Sequence, residues 1–116
     1  MKVIKKIQKW DKHIQHIYYI INKDDIIGSC SVELKGDLTP FLVGMYVYPE
    51  YRRMKYSHML MESILKDFNE LIIAVRPDNF IIPFYESYGF VNVDDEYSED
   101  YIVDGVKYLR FLLNVS

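Results

Sequence analysis

The chain has 116 residues and a mass of 13.9 kDa; half of it is apolar and 27% is charged, with 17 acids against 14 bases and one cysteine. That length suits one domain, 1–116, able to bury about two-thirds of the surface its unfolded form exposes, so folding needs no disulfide or structural metal. A net charge of −3 and a pI of about 5.5 argue against a nucleic-acid binder, which needs a basic face, and no apolar run is long enough to span a bilayer. The opening MKVIKKIQKWDKH lacks an apolar stretch and a small-residue cleavage site, so it is not expected to act as a secretory signal. A lone Cys30 fits a reducing, cytoplasmic setting.

The chain opens with strands. Residues 3–9 and 14–21 are rich in isoleucine, lysine and tyrosine, and Asn22-Lys23-Asp24-Asp25 has turn chemistry. In IIGSCSVEL, Ile26, Gly28, Cys30, Val32 and Leu34 alternate with Ile27, Ser29, Ser31 and Glu33, the period of a strand with unlike faces. PFLVGMYVY is apolar on both faces and reads as a central strand. Beyond Pro49 the period changes: Tyr56, Met59, Leu60, Ile64 and Phe68 recur at helical spacing within residues 51–68. LIIAV, 71–75, reads as a buried strand joined to its predecessor through that helix, a parallel β–α–β pair. A second helix is expected over 79–88, capped by Asp78 and ended by Gly89. FVNVDDEY and GVKYLRFLL then read as two antiparallel strands around an acidic loop. The expected class is α/β, a mixed and mostly antiparallel sheet with one parallel pair, covered by two helices.

Two segments carry chemistry. VYPEYRRMKYSHMLM lies where a strand becomes a helix. The first turn of a helix presents unpaired N–H groups and the positive end of its dipole, and Arg52, Arg53 and Lys55 add cations beside it. Two readings stand, a diphosphate cradle or an ordinary helix start with solvated bases. RPDNFIIPFYESYGF carries Phe84, Tyr85 and Glu86 ahead of Gly89-Phe90.

Together the segments resemble the GNAT superfamily of acyl-CoA-dependent N-acyltransferases. Val47, Pro49, Tyr51, Arg52, Leu60 and Met61 fall at matching places of its first diagnostic stretch, and Phe84, Tyr85, Glu86, Gly89 and Phe90 at those of its second. The resemblance covers about residues 26–113 and is densest over 41–90. Lys55 stands where the family's phosphate loop has its first glycine, and Ser57 where it has its last small residue. The Lys55 side chain would either obstruct the backbone or bring its charge to the phosphate. The family's asparagine falls on Asp78 or Asn79, of which Asn79 suits an anionic ligand better. The family carries two helices between its first two strands; residues 10–13 leave no room for them, so the acceptor side is expected to be open or differently built.

What the resemblance implies is transfer of an acetyl group from acetyl-CoA to a primary amine, by direct attack in a ternary complex. The cofactor-binding set would be Tyr46 and Val47 for the pantetheine, Arg52, Arg53, Met54, Lys55, Tyr56 and Ser57 for the diphosphate, with Asn79 and Tyr85. Tyr85 occupies the general-acid position, and a phenol of pKa ~10 suits a thiolate whose acid has pKa ~8.5. Glu33 is the candidate base, with Glu50 and Glu86 as alternatives. The acids Asp94, Asp95, Glu96, Glu99, Asp100 and Asp104 would draw a cationic acceptor or simply solubilise a loop. His13 and His16, three apart in a strand, fall on opposite faces and make a poor metal pair. Neither nucleic acid nor membrane is expected as a partner; monomer and homodimer both stay open. The alternative function is a catalytically degenerate GNAT-fold module that binds a protein, with or without CoA.

Overall fold

A β-hairpin begins the molecule because Asp11-Lys12 is the whole connection between its first two strands. In the computed structural model, which describes residues 1–52, 55–94 and 101–115, β1 (Lys2–Trp10) and β2 (His13–Asn22) pair along their full length. Asp11 takes a positive φ of 51° to close the turn, so no helix intervenes, as residues 10–13 led us to expect. β3 (Asp25–Lys35) and β4 (Phe41–Val47) continue an antiparallel ladder in the order β1-β2-β3-β4. Lys23, with φ 57°, turns the chain between β2 and β3.

Within this first unit, Met1–Phe68, one face of the ladder is apolar. Tyr18, Ile20, Cys30, Val32, Leu42 and Val47 are buried there, together with Leu60, Met61 and Ile64 of α1 (Tyr56–Leu65). The strict alternation expected over 26–34 breaks at Ile27. A register shift between Ile20 and Ile21 leaves Ile27 without a partner residue, so Ile27 is buried while Ile26 is exposed. The helix is shorter than the 51–68 its spacing predicts. Pro49–Tyr51 forms a 3-10 turn instead, and Lys66 closes α1.

The second unit, Asn69–Ser116, holds β5 (Glu70–Val75), α2 (Ile82–Ser87), β6 (Val91–Asn92), β7 (Tyr101–Val103) and β8 (Val106–Asn114). β8 pairs antiparallel with β5, β6 and β7. Buried Leu71, Ile73, Phe111 and Leu113 are in this ladder. The helix expected over 79–88 begins at Ile82. Its approach is shaped by Asn79, whose Oδ1 accepts the Ile81 N–H at 3.0 Å, whereas Asp78, the expected cap, pairs with Arg76 at 3.3 Å. Gly89 ends it as expected, at φ 100°: the Phe90 N–H bonds the Tyr85 carbonyl and the Gly89 N–H that of Glu86. Of the strand expected in FVNVDDEY, only Val91–Asn92 forms a ladder among the described residues. β7 lies in what reads as loop, held in a hairpin by Asp104-Gly105, both at positive φ.

One polar cluster ties β1 and β2 to the segment after α1. The buried Tyr18 hydroxyl donates to Asp67 Oδ2 at 2.7 Å, and Lys5 Nζ reaches the same oxygen at 3.0 Å. Tyr18, then Lys5, hold the Asp67 carboxyl below its ordinary range. Burial, then Lys5, lowers the pKa of neighbouring His16, which packs edge-on to Phe68. Both shifts favour the fold at higher pH. The Asp67 share is complete above its unfolded value and is lost as pH falls through the lowered folded one. Asp67→Asn should therefore cost about 1 kcal/mol at pH 7, with the difference vanishing at acid pH in urea titrations. A difference that stays constant down to pH 2 would contradict this.

Candidate active site

The end of β4 and the start of α1 carry the residues that the sequence singles out for the coenzyme. β4 is not regular. Val43 faces Ser31 and Tyr46 faces Ser29, so Gly44 and Met45 together oppose Cys30. Gly44 takes φ 68°, a bulge that bends the strand before its last residues. Beyond it, Val47 faces Gly28, and the Tyr48 N–H bonds the Ile27 carbonyl at 3.0 Å. By antiparallel alternation, the N–H and C=O of Val47 then point away from β3. Gly28 permits this close pairing: a Cβ there would stand 3.0 Å from the Tyr46 carbonyl oxygen and 3.1 Å from Val47 Cγ2.

After the 3-10 turn, the chain enters α1 through Lys55, whose φ of 66° and ψ of 17° lie in the left-handed region. Lys55 thus adopts the conformation a glycine would supply. No side chain among the described residues caps α1, and its first turn contains no acid. The N–H groups of Tyr56 and Ser57 begin the helix, where backbone donors lack intrahelical acceptors. A helix start of this kind, uncapped and without acids, favours a negative charge.

The other expected residues separate into groups. Arg53 and Met54 lie outside the described residues. Arg52 Nε donates to the Val47 carbonyl at 2.9 Å, and its guanidinium sits 5.2 Å from the centre of the Tyr46 ring. Tyr46 is exposed and edge-on to Tyr48. Glu33 lies five residues along β3 from Gly28, about 17 Å at strand spacing. It stands 3.7 Å from both His13 Nε2 and Lys35 Nζ. The fold does not bring Glu33 to the Val47 end of the ladder. In the second unit, Tyr85 is buried in α2, edge-on to Phe84 and Phe90, and the Asn79 oxygen is engaged by Ile81.

Several remaining candidates have structural employment. Cys30 is buried, and burial pushes its thiol up to about 12, which removes it as a nucleophile. His13 stacks on Trp10 on one face of the ladder, while His16 meets Phe68 on the other. Asp94 of the acidic run accepts the Arg110 backbone N–H at 2.9 Å, and Asp104 makes the β7–β8 turn. Asp95, Glu96, Glu99 and Asp100 lie outside the described residues. No helix among the described residues is long and apolar enough to cross a membrane.

Comparison with known proteins places the chain in a family and a fold. The model of the acetyltransferase (GNAT) domain matches residues 1–107. The chain belongs to the GNAT acetyltransferase family and is an acyl-CoA-dependent N-acetyltransferase by class. Its fold is shared with a GNAT acetyltransferase from Elizabethkingia anophelis solved with acetyl-CoA bound, at 16% identity and a TM-score of 0.68 over 86% of this chain and 76% of that one. The ribosomal-protein-S18-alanine N-acetyltransferase of Escherichia coli aligns at 19% identity and a TM-score of 0.69, over 93% and 72% of the respective chains. An acetyltransferase from Streptococcus agalactiae gives 20% identity and a TM-score of 0.70, over 86% and 66%. No curated protein matches in sequence. The fold class is accordingly the mixed, mostly antiparallel α/β arrangement with two helices of the acyl-CoA N-acyltransferases.

The left-handed Lys55 has a measurable cost. A side chain in that region loses about 1–2 kcal/mol, against about 0.5–1 kcal/mol for the extra unfolded freedom of glycine. Lys55→Gly should raise stability by about 0.5–1 kcal/mol, a melting rise of a few degrees. Lys55→Val should lower it, because a β-branched residue fits this region worst. A melting point lowered by the glycine variant would refute the assigned backbone.

Proposed function

We propose that the chain transfers the acetyl group of acetyl-CoA to a primary amine, on a small molecule or on a peptide or protein lysine or N-terminus, by direct attack in a ternary complex. The observation that carries this reading is the mouth of α1: an uncapped first turn without acids, entered through a left-handed Lys55. The diphosphate of the coenzyme rests on the N–H groups of Tyr56 and Ser57, with the Lys55 ammonium beside it. The pantetheine amides run along the edge of β4, where Val47 turns its N–H and C=O away from β3, a mode akin to strand addition. A backbone N–H on this edge also stabilises the oxyanion that forms as the amine adds to the thioester carbon.

The chemistry then needs two proton transfers. The attacking amine must be neutral, and an alkylammonium ordinarily holds its proton to a pH of about 10.4. Glu33, paired with His13 and Lys35 at the far end of β3, is poorly sited for that task, so bulk water or another carboxylate takes this proton. As the tetrahedral adduct collapses, the C–S bond breaks and the thiolate of CoA accepts a proton from the phenol of Tyr85. We assign the reaction to the cytoplasm, the reducing compartment that a single unpaired cysteine suits.

Acetyl-CoA at 100 times its Kd should stabilise the protein by ~2.7 kcal/mol, a melting shift on the order of 10 °C, and a panel of amines should yield at least one that releases free thiol. Tyr85→Phe should slow that release by about 10²-fold or more while leaving the coenzyme-induced melting shift intact. Absence of both shift and thiol release would overturn the reading; wild-type turnover in the Tyr85 variant would remove Tyr85 from it.

A further inference from the structure

Arg52 is bonded in a way that the diphosphate role expected of it does not explain. The 3-10 turn Pro49–Tyr51 reverses the chain: the Tyr51 N–H bonds the Tyr48 carbonyl at 2.9 Å and the Arg52 N–H that of Pro49 at 3.2 Å. This returns the Arg52 side chain to the strand it has just left. Its Nε–H reaches the Val47 carbonyl at 2.9 Å, and the guanidinium lies 5.2 Å from the Tyr46 ring centre. Val47 presents its polar groups away from β3 because the Gly28–Val47 pair is the non-hydrogen-bonded kind, flanked by the Tyr48-to-Ile27 bond. The arginine therefore occupies an acceptor on the side of β4 that faces away from β3.

We propose that Arg52 is a latch on the coenzyme edge: in the free enzyme its Nε–H holds the Val47 carbonyl, the acceptor that a pantetheine amide N–H requires, and coenzyme entry displaces it. This rests on the proposed reading of β4 as the pantetheine-binding edge. Binding is then an exchange. The protein gives up one charge-assisted hydrogen bond and one cation–π contact and gains a neutral amide bond in place of the former. The freed guanidinium stands in the turn leading to the mouth of α1, where a diphosphate would reward its release. A thioester of pantetheine alone pays the exchange without that return. The latch thereby becomes a specificity device, favouring acyl donors that carry both the pantetheine arm and the diphosphate.

The test is an NMR titration of the full chain. The Arg52 Nε–H resonance, assigned by its loss in Arg52→Met, should be slow to exchange with water in the free protein. It should move or broaden on saturation with acetyl-CoA, alongside the Val47 amide. Arg52→Met, which keeps an apolar stem but no donor, should bind S-acetylpantetheine about tenfold more tightly than the wild type, the equivalent of one charge-assisted hydrogen bond no longer broken. The same variant should gain nothing for acetyl-CoA, because it also loses the charge offered to the phosphates. An Arg52 Nε–H signal that stays in place while the Val47 amide responds would overturn the latch and leave the proposed function standing. So would unchanged S-acetylpantetheine affinity in the variant. If acetyl-CoA perturbs neither signal, the proposed coenzyme edge fails, and the latch with it.

Discussion

A helix can hold an anion only where its first N–H groups are left without acceptors and no acid stands before them. The first N–H groups of every helix lack intrahelical acceptors and stay available where no side chain caps them. Here α1 is entered through Lys55, left-handed at φ 66°, and begins without a side-chain cap. An unfavourable backbone conformation persists only if the surroundings determine it. The surroundings in this case are the 3-10 turn on one side and the buried Leu60, Met61 and Ile64 of α1 on the other. Burial of those three side chains fixes where the helix lies against β2, β3 and β4.

The strand that precedes the turn is adapted in the same sense. Gly44 bends β4 through a bulge, and Gly28 allows Val47 to close up against β3 without a Cβ between them. The result is a peptide at Val47 whose N–H and C=O face away from β3, in the strand that precedes the uncapped start of α1. Neither feature alone specifies a ligand. A strand edge seeks an extended chain with amide groups, whereas a helix start seeks phosphate or carboxylate. A coenzyme that joins an amide-bearing arm to a diphosphate satisfies both.

Much of this was legible in the residues. Helical spacing over Tyr56–Ile64, the Gly89 stop and the apolar run 71–75 correspond to real elements, because burial and glycine geometry act locally. The short connection at residues 10–13 foretold the hairpin that replaces intervening helices. Other features depend on partners distant in sequence. The bulge at Gly44 exists only relative to Cys30, and Ile27 is buried only because β3 carries it as an extra residue where the β2–β3 register shifts. β7 carried a signal that could have been read, since Asp104-Gly105 is a strong hairpin dipeptide lying between Val103 and Val106. Glu33 looked available as a base because spacing along a strand reveals its face and not its distance from a site. The Arg52 contact was hidden for a related reason: no local pattern shows that a carbonyl five residues back will accept its Nε–H.

The central claim is that the diphosphate of acetyl-CoA sits at the mouth of α1. A crystal structure of the protein grown with acetyl-CoA tests it most directly. The account predicts phosphate oxygens within hydrogen-bonding distance of the Tyr56 and Ser57 backbone nitrogens. Phosphates bound elsewhere, or a helix start left vacant at millimolar coenzyme, would contradict it.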